Sequence, residues 1–428
     1  MYCLPTFRTI KKPIVGRFFV GLVVAGFGFS VMATETGGSE KNISLNNAIA
    51  LTLSHHPELK ALAFEERVWK GEIQQAGIGE LPQIGLMLED AMGTGQHSGI
   101  KSMQSTLTFS WVLQQQVIDK RVDALKTQAS QLVFDKQIKA LDLSALVAKQ
   151  YIDILVKQER LKLNQMALLQ AKDVENTITS RVDAGKSSGI ELQLAHVDSL
   201  HRELALEDIE HELSVSKYQL TSYWGAPATN VNVSGDLLAL PVVNSVENQL
   251  ALLKQNPRIT SLVSSHRIIQ SQIELARIEA KPQWRFNAGL RRNESTDDFS
   301  VVAGVSIPWG SGERNAGSIS ALQARQDVIS AQQAALLQSL DMQLYDVLHE
   351  MAHSDHVIRA YRSNIIPALE QAVNQARDAF EDGQISYGQL NNIRQELLTA
   401  QFQLLDAVER LHLQHVEIQR LTGSSISQ

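Results

Sequence analysis

Three histidines and two acids crowd into eight residues of this chain. His349-Glu350-Met351-Ala352-His353 fits the pattern H-E-x-x-H, and His356 follows three residues on. On a helix, positions i and i+4 share a face. His349 and His353 could therefore hold Zn2+, with Glu350 as base for a hydrolytic water. The surroundings argue against a zinc peptidase. The motif lies inside a long helical pattern, no separate catalytic domain surrounds it, and the first half of the chain has no counterpart. Solvated helix surface is the stronger reading, and His349, His353 and His356 are weak metal candidates only. The pairs His55-His56 and His412/His415 read the same way. No phosphate-binding glycine loop stands out, and Cys3 is the only cysteine. The sequence predicts no catalytic residue and no cofactor.

A second group is charged rather than catalytic. Asp183 aligns with Glu381 in an internal repeat, Asp382 adjoins it, and all three stand one or two residues before Gly185 or Gly383. If several chains share an axis, these acids form rings that attract cations and raise each other's pKa. The plain alternative is solvated surface before a helix break. Arg181 could pair with an acid across the hairpin. Ser188 and Ser386 are placed to cap the returning helices. Gly185 and Gly383 let the chain turn without a Cβ penalty.

These residues sit in a structure written twice. Leu53, Pro57, Leu62, Arg67, Ile73, Ala76, Ile78, Pro82 and Gln83 recur as Leu253, Pro257, Leu262, Arg267, Ile273, Ala276, Ile278, Pro282 and Gln283, an ungapped offset of 200. A second block, from Gly185 and Ser188 to Gly225, recurs at an offset of 198 as Gly383 and Ser386 to Gly423. That period is far above a solenoid's. The expected division is 1–33 signal, 34–226 first repeat, 227–244 linker, 245–423 second repeat and 424–428 tail.

The amino terminus has the order of a secretory signal. Arg8, Lys11, Lys12 and Arg17 precede an apolar stretch that ends near Val31-Met32-Ala33. Cleavage after Ala33 would remove four positive charges and no negative one, taking the net charge from −7 to −11. Such an acidic exported chain is a poor nucleic-acid binder. No later segment has 18 consecutive apolar residues, so any membrane crossing must be β-structure.

Each repeat supplies a helix, two alternating runs and a long helical arm. The first helix is expected over 45–80, between Pro57 near its start and Pro82. Strands are expected at about 83–90, 104–112, 283–291 and 298–307. Leu107, Phe109 and Trp111 oppose Thr106, Thr108 and Ser110, while Trp284, Phe286, Ala288 and Leu290 oppose Arg285, Asn287, Gly289 and Arg291. Runs of nine or ten residues with period two fit transmembrane strands with a lipid face and a wet face. Two soluble hairpins packed on a core would alternate in the same way. Residues 114–226 lack proline and break only at Gly185–Gly189. The second arm runs from about Glu313 to Asp382, about 105 Å at 1.5 Å per residue. The linker has room for a short strand at Val231-Asn232-Val233.

Four spanning strands cannot close a barrel, because the smallest have about eight. Open edges in lipid would cost several kcal/mol per unpaired group. Spanning strands therefore require several chains around one axis, with the helices continuing the pore as a tube. At this point the chain resembles the TolC-like outer-membrane factors, the exit ducts of tripartite efflux and secretion systems. The resemblance rests on Ser44-Leu45 to Pro57 and its echo 245–257, Pro82-Gln83 and Pro282-Gln283. It rests also on Val305-Ser306-Ile307-Pro308-Trp309-Gly310 and on Asp382-Gly383-Gln384-Ile385-Ser386. It implies a mainly α fold with a β-barrel portion, made by a homotrimer with a twelve-strand outer-membrane barrel and a long α-helical periplasmic barrel. It also implies a periplasmic adaptor, an inner-membrane pump, and hairpin tips that form a closable aperture at the adaptor. The short length and Leu88-Glu89-Asp90 look most like the heavy-metal cation branch, which works with resistance–nodulation–division pumps. Drug export and type I protein secretion are the alternative cargoes, and a soluble periplasmic coiled-coil scaffold is the reading without a membrane. Trp111-Val112-Leu113-Gln114-Gln115 departs from the family's usual turn, which the second half keeps at 308–314, so the two strand-to-helix turns should differ in shape.

Overall fold

A computed structural model describes residues 41–242, 246–310 and 312–426. The signal expected over 1–33 lies outside the described residues. The first repeat runs β1 (Lys41–Ile43), α1 (Leu45–His55), α2 (Pro57–Ala76), β2 (Gln83–Glu89), β3 (Gln104–Leu113), α3 (Gln115–Ala129), α4 (Gln131–Asp183) and α5 (Gly189–Ser222). After the linker strand β4 (Val231–Val233) come α6 (Val246–Leu252), α7 (Pro257–Glu279), β5 (Trp284–Asn293) and β6 (Asp298–Ser306). The second arm is α8 (Ala316–Ala360), α9 (Ile366–Glu381) and α10 (Tyr387–Thr422).

The single helix expected over 45–80 is two helices. Proline lacks an N–H and pushes the residue before it out of the helical region. His56 is accordingly extended (φ −60°, ψ 130°), and Pro57 opens α2. His56 Nδ1 accepts from the Glu58 N–H at 3.3 Å. The second repeat solves the same junction with Asn256, whose Oδ1 accepts from the Arg258 N–H at 2.8 Å.

The long arms also contain breaks. α3 gives way to α4 at Ser130, whose hydroxyl bonds the Thr127 carbonyl at 2.6 Å. Such local bonding competes with the helix ladder, and the arm does not break only at Gly185. In the second arm a π turn, Tyr361–Ile365, joins α8 to α9 just before Pro367. A wider turn there accommodates the missing N–H and the bulk of the proline ring. From Ala316 to Glu381 the arm is continuous and spans about 100 Å.

The four longer strands form one antiparallel sheet in the order β2-β3-β5-β6. Its register puts Leu86, Leu107, Leu290 and Val301 in one row across all four strands. The same face carries Ile84 beside Phe109, and Trp111 beside Phe286 and Val305. The other face carries Thr106 beside Arg291 and Ser300, and Ser110 beside Asn287 and Gly304. The apolar face is exposed on all four strands, with Leu86 69% and Val301 79% accessible, while on the other face the central Thr106 is 2% accessible. A soluble hairpin packed on a core would show the reverse. Aromatic rings collect at the helix-proximal end of the sheet, with Trp111 and Phe286 centroids 5.5 Å apart and Trp284 and Phe286 6.3 Å apart. That is where an interfacial girdle belongs.

The two strand-to-helix turns differ. β3 passes to α3 through Gln114 alone, with its Nε2 donating to the Glu80 carbonyl at 3.2 Å. The β6–α8 connection is longer, includes a 3-10 turn at Gly312–Asn315, and leaves Trp309 fully exposed.

The main core binds α1, α4, α5, α8 and α10 around the two-stranded parallel sheet β1-β4. Tyr151 is fully buried at its centre, its hydroxyl 2.9 Å from the Ile43 carbonyl and 2.6 Å from that of Ser234. Burial pushes that phenol up to about 12, against the hydrogen bond to Ser234. Beside this core a charge relay ties the repeats together. Lys149 reaches Glu417 at 2.9 Å, Glu417 meets Arg420 at 2.5 Å, and Arg420 and Arg258 share Asp142 at 3.4 and 2.8 Å.

Candidate functional site at the hairpin tips

The helical hairpins end in two like turns. α4 stops at Asp183, Gly185 turns the chain at φ 71°, and Ser188 caps α5 by accepting from the Glu191 N–H at 3.3 Å. α9 stops at Glu381, Gly383 turns at φ 75°, and Ser386 caps α10. This second cap is reciprocal: Ser386 Oγ accepts from the Gln389 N–H, and the Gln389 side chain accepts from the Ser386 N–H at 3.0 Å. Such a box satisfies two otherwise orphaned donors.

Arg181 joins the two tips, though not through a carboxylate. Its Nη1 donates to the Phe380 and Glu381 carbonyls at 3.1 and 3.2 Å, its Nε donates to Ser187 Oγ at 3.3 Å, and its guanidinium lies 4.8 Å from the Phe380 ring centroid. The last carbonyls of α9 have no intrahelical partner and carry partial negative charge, so a cation there has more to gain than on open surface. Asp183, Glu381 and Asp382 all remain exposed in the single chain. The structure brings Arg181 to the α9 end and leaves the three carboxylates exposed.

Two aromatic residues at this site escaped the sequence reading. Phe380 and Tyr387 are buried with Ile178, Ala195, Ala376 and Leu390 in a small core that fastens the two hairpins just behind the tips. At the repeat offset of 198 their counterparts are Val182 and Gly189. That difference between the halves was the available signal. Burial, with the nearby Asp198 carboxylate, raises Tyr387 to about 12. Its backbone N–H donates to Glu191 Oε1 at 3.4 Å. Further along lies a cavity of about 130 Å3 whose lining includes Asp198, Arg202, Arg394 and Gln170. Asp198 pairs with Arg202 at 3.3 Å, and Arg394 donates to Gln170 at 3.3 Å.

The H-E-x-x-H segment lies elsewhere, on α8. Leu344, Leu348, Met351 and Ile358 form the buried stripe of that helix, and His349, Glu350, His353 and His356 are exposed. Glu350 accepts from Gln414 at 3.4 Å. Among the described residues no three or more His, Cys, Asp or Glu side chains converge as a metal cage. His412 is engaged by the Leu237 carbonyl at 2.8 Å, and burial holds it below the ordinary imidazole range.

An exposed apolar strand face, long helical arms and fastened hairpin tips together describe a channel subunit. The comparisons agree. Over 421 residues, 94% of this chain and 98% of the relative, the sequence is 24% identical to the cobalt-zinc-cadmium resistance protein CzcC of Cupriavidus metallidurans. The fold is that of CusC, a transmembrane channel former (TM-score 0.71, 15% identity, 89% of this chain and 92% of that one). It is also that of the outer membrane protein VceC of Vibrio cholerae (TM-score 0.69, 17% identity, 89% and 96%). The family described as outer membrane efflux protein matches residues 48–226 and 250–424, both repeats almost in full, and the chain belongs to that family.

Proposed function

We propose that this chain forms the outer-membrane exit duct for heavy-metal cations expelled by a pump of the resistance–nodulation–division type. As an outer membrane efflux protein it is a passive channel of a tripartite system and not an enzyme. The observation that carries the duct is the sheet. Its apolar face is exposed row after row, and among the described residues β2 and β6 each leave one edge unpaired. Three copies supply twelve strands, enough to close a barrel and satisfy every edge. The metal cargo is supported by the full-length similarity to a cobalt-zinc-cadmium resistance protein. At the far end, three copies of Asp183, Glu381 and Asp382 make acidic rings around the aperture, and Gly185, Ser188, Gly383 and Ser386 shape the surface offered to a periplasmic adaptor.

A deletion strain tests the cargo. Tolerance to Co2+, Zn2+ and Cd2+ should fall and return on complementation, while tolerance to a panel of drugs stays constant. Unchanged survival on every metal would overturn the heavy-metal reading, and selective drug sensitivity would replace it with a drug duct.

A further inference from the structure

The histidines of α8 belong neither to the core nor to the hairpin tips. His349, His353 and His356 are spaced i, i+4 and i+7, which places them within about 60° of arc on one helix face. That face is opposite the buried stripe of Leu344, Leu348, Met351 and Ile358, and all three imidazoles are exposed. Tyr345, one turn earlier, packs its ring against His349 with centroids 4.3 Å apart and planes tilted by 51°. That contact limits the rotamers His349 can sample. Asp346, at i−3 from His349, adds an exposed carboxylate to the same stretch. Nearby Asp355 is already paired with Arg359, and Glu350 with Gln414.

Neighbouring imidazoles one turn apart can chelate one ion, whereas His349 and His356 are separated by about 10.5 Å of rise and cannot share one. Two overlapping positions result, His349/His353 and His353/His356, with His353 common to both. We propose that this stripe is a two-position binding ladder for divalent cations that accept imidazole, such as Zn2+, Co2+, Ni2+ and Cu2+. Two protein ligands leave the remaining coordination to water, so binding is exchangeable rather than structural. No three-residue cage accompanies it among the described residues.

The inference deepens the heavy-metal reading, yet its binding test does not depend on that reading. Full-length protein in detergent is titrated with ZnCl2, and Cu2+ is added separately for nitrogen hyperfine couplings. The wild type should bind about one Zn2+ per chain, because the two positions share a ligand. His353→Ala should weaken binding roughly tenfold or more, and His349→Ala or His356→Ala less, since each leaves one pair intact. His211→Ala, on α5, should change nothing. Absence of Zn2+ binding by the wild type, or binding indifferent to His353→Ala, would overturn the ladder even if metal tolerance depends on the channel. Conversely, binding lost in His353→Ala stands even if the deletion strain tolerates every metal, in which case the cargo reading alone fails.

Discussion

Arg181 holds Phe380 twice. Its guanidinium lies 4.8 Å from the ring centroid, and its Nη1 donates to the Phe380 backbone carbonyl at 3.1 Å. The end of α9 is thereby tied to the end of α4, one hairpin to the other. A cation–π contact and charge-assisted hydrogen bonds at a half-buried site contribute about 1–3 kcal/mol. Arg181→Ala should loosen the tips without unfolding the chain. Backbone hydrogen exchange over 181–189 and 380–386 should quicken, and open probability in planar bilayers should rise. Arg181→Lys should recover only part, because an ammonium cannot reproduce the fork. Exchange unchanged in Arg181→Ala would show that the tips are held by the Phe380–Tyr387 core alone.

The acids at the same tips make a separate prediction. Replacing Asp183, Glu381 and Asp382 together by Asn, Gln and Asn removes three charges per chain. In a shared aperture the cation-over-anion permeability ratio should fall, most clearly at low ionic strength, where screening is weakest. An identical reversal potential under a salt gradient would place the carboxylates outside the ion path.

The sheet predicts opposite outcomes for its two faces. Leu290 stands in the apolar row, and Gly289 beside it faces the polar side next to Thr108. Leu290→Arg puts a charge at mid-sheet on the lipid face, costing about 2–4 kcal/mol. It should deplete heat-stable oligomer in the outer membrane. Thr108→Asp, on the other face, should leave assembly intact and alter conductance. If both variants assemble equally well, the apolar row does not face lipid.

The repeat made much of this legible in advance. The period-two runs fell within two residues of the strands, and Gly185 and Gly383 marked the tips with positive φ. Three features were hidden for physical reasons. A proline inside a helical pattern can kink a helix or split it, and the extended His56 decides for splitting. The Ser130 break depends on where one hydroxyl bonds, which composition does not encode. Arg181 was expected to seek an acid, but helix-end carbonyls were nearer. The aromatic fastening was readable only as a departure from symmetry, Phe380 against Val182 and Tyr387 against Gly189.

Tyr151 makes the linker part of the core. Its hydroxyl sits within hydrogen-bond reach of carbonyls from β1 and from the residue after β4. Tyr151→Phe keeps the ring and removes the bridge, at a cost of about 1 kcal/mol. The thermal midpoint should fall, and limited proteolysis near residues 227–242 should quicken. A linker as resistant as in the wild type would mean that the strand pairing of β1 and β4 suffices by itself.

Glu417 gives the fold a predictable response to acid. Burial alone would raise its pKa, but hydrogen bonds from Arg420 and Lys149 outweigh burial and bring it from 4.5 down to about 2. A carboxylate depressed in the folded state contributes stability that is complete above its unfolded value and is lost as pH falls through the folded one. The loss therefore runs from about pH 4.5 to about pH 2. The full shift corresponds to about 3 kcal/mol, and the 21% exposure of the side chain lowers the usable part to about 1–2 kcal/mol. Glu417→Gln should be less stable than the wild type by that amount at neutral pH, and the gap should close on acidification. Denaturant titrations of both proteins at pH 7, 5 and 3 measure it. A gap that persists undiminished at pH 3 would show that Glu417 acts through packing and not through its charge.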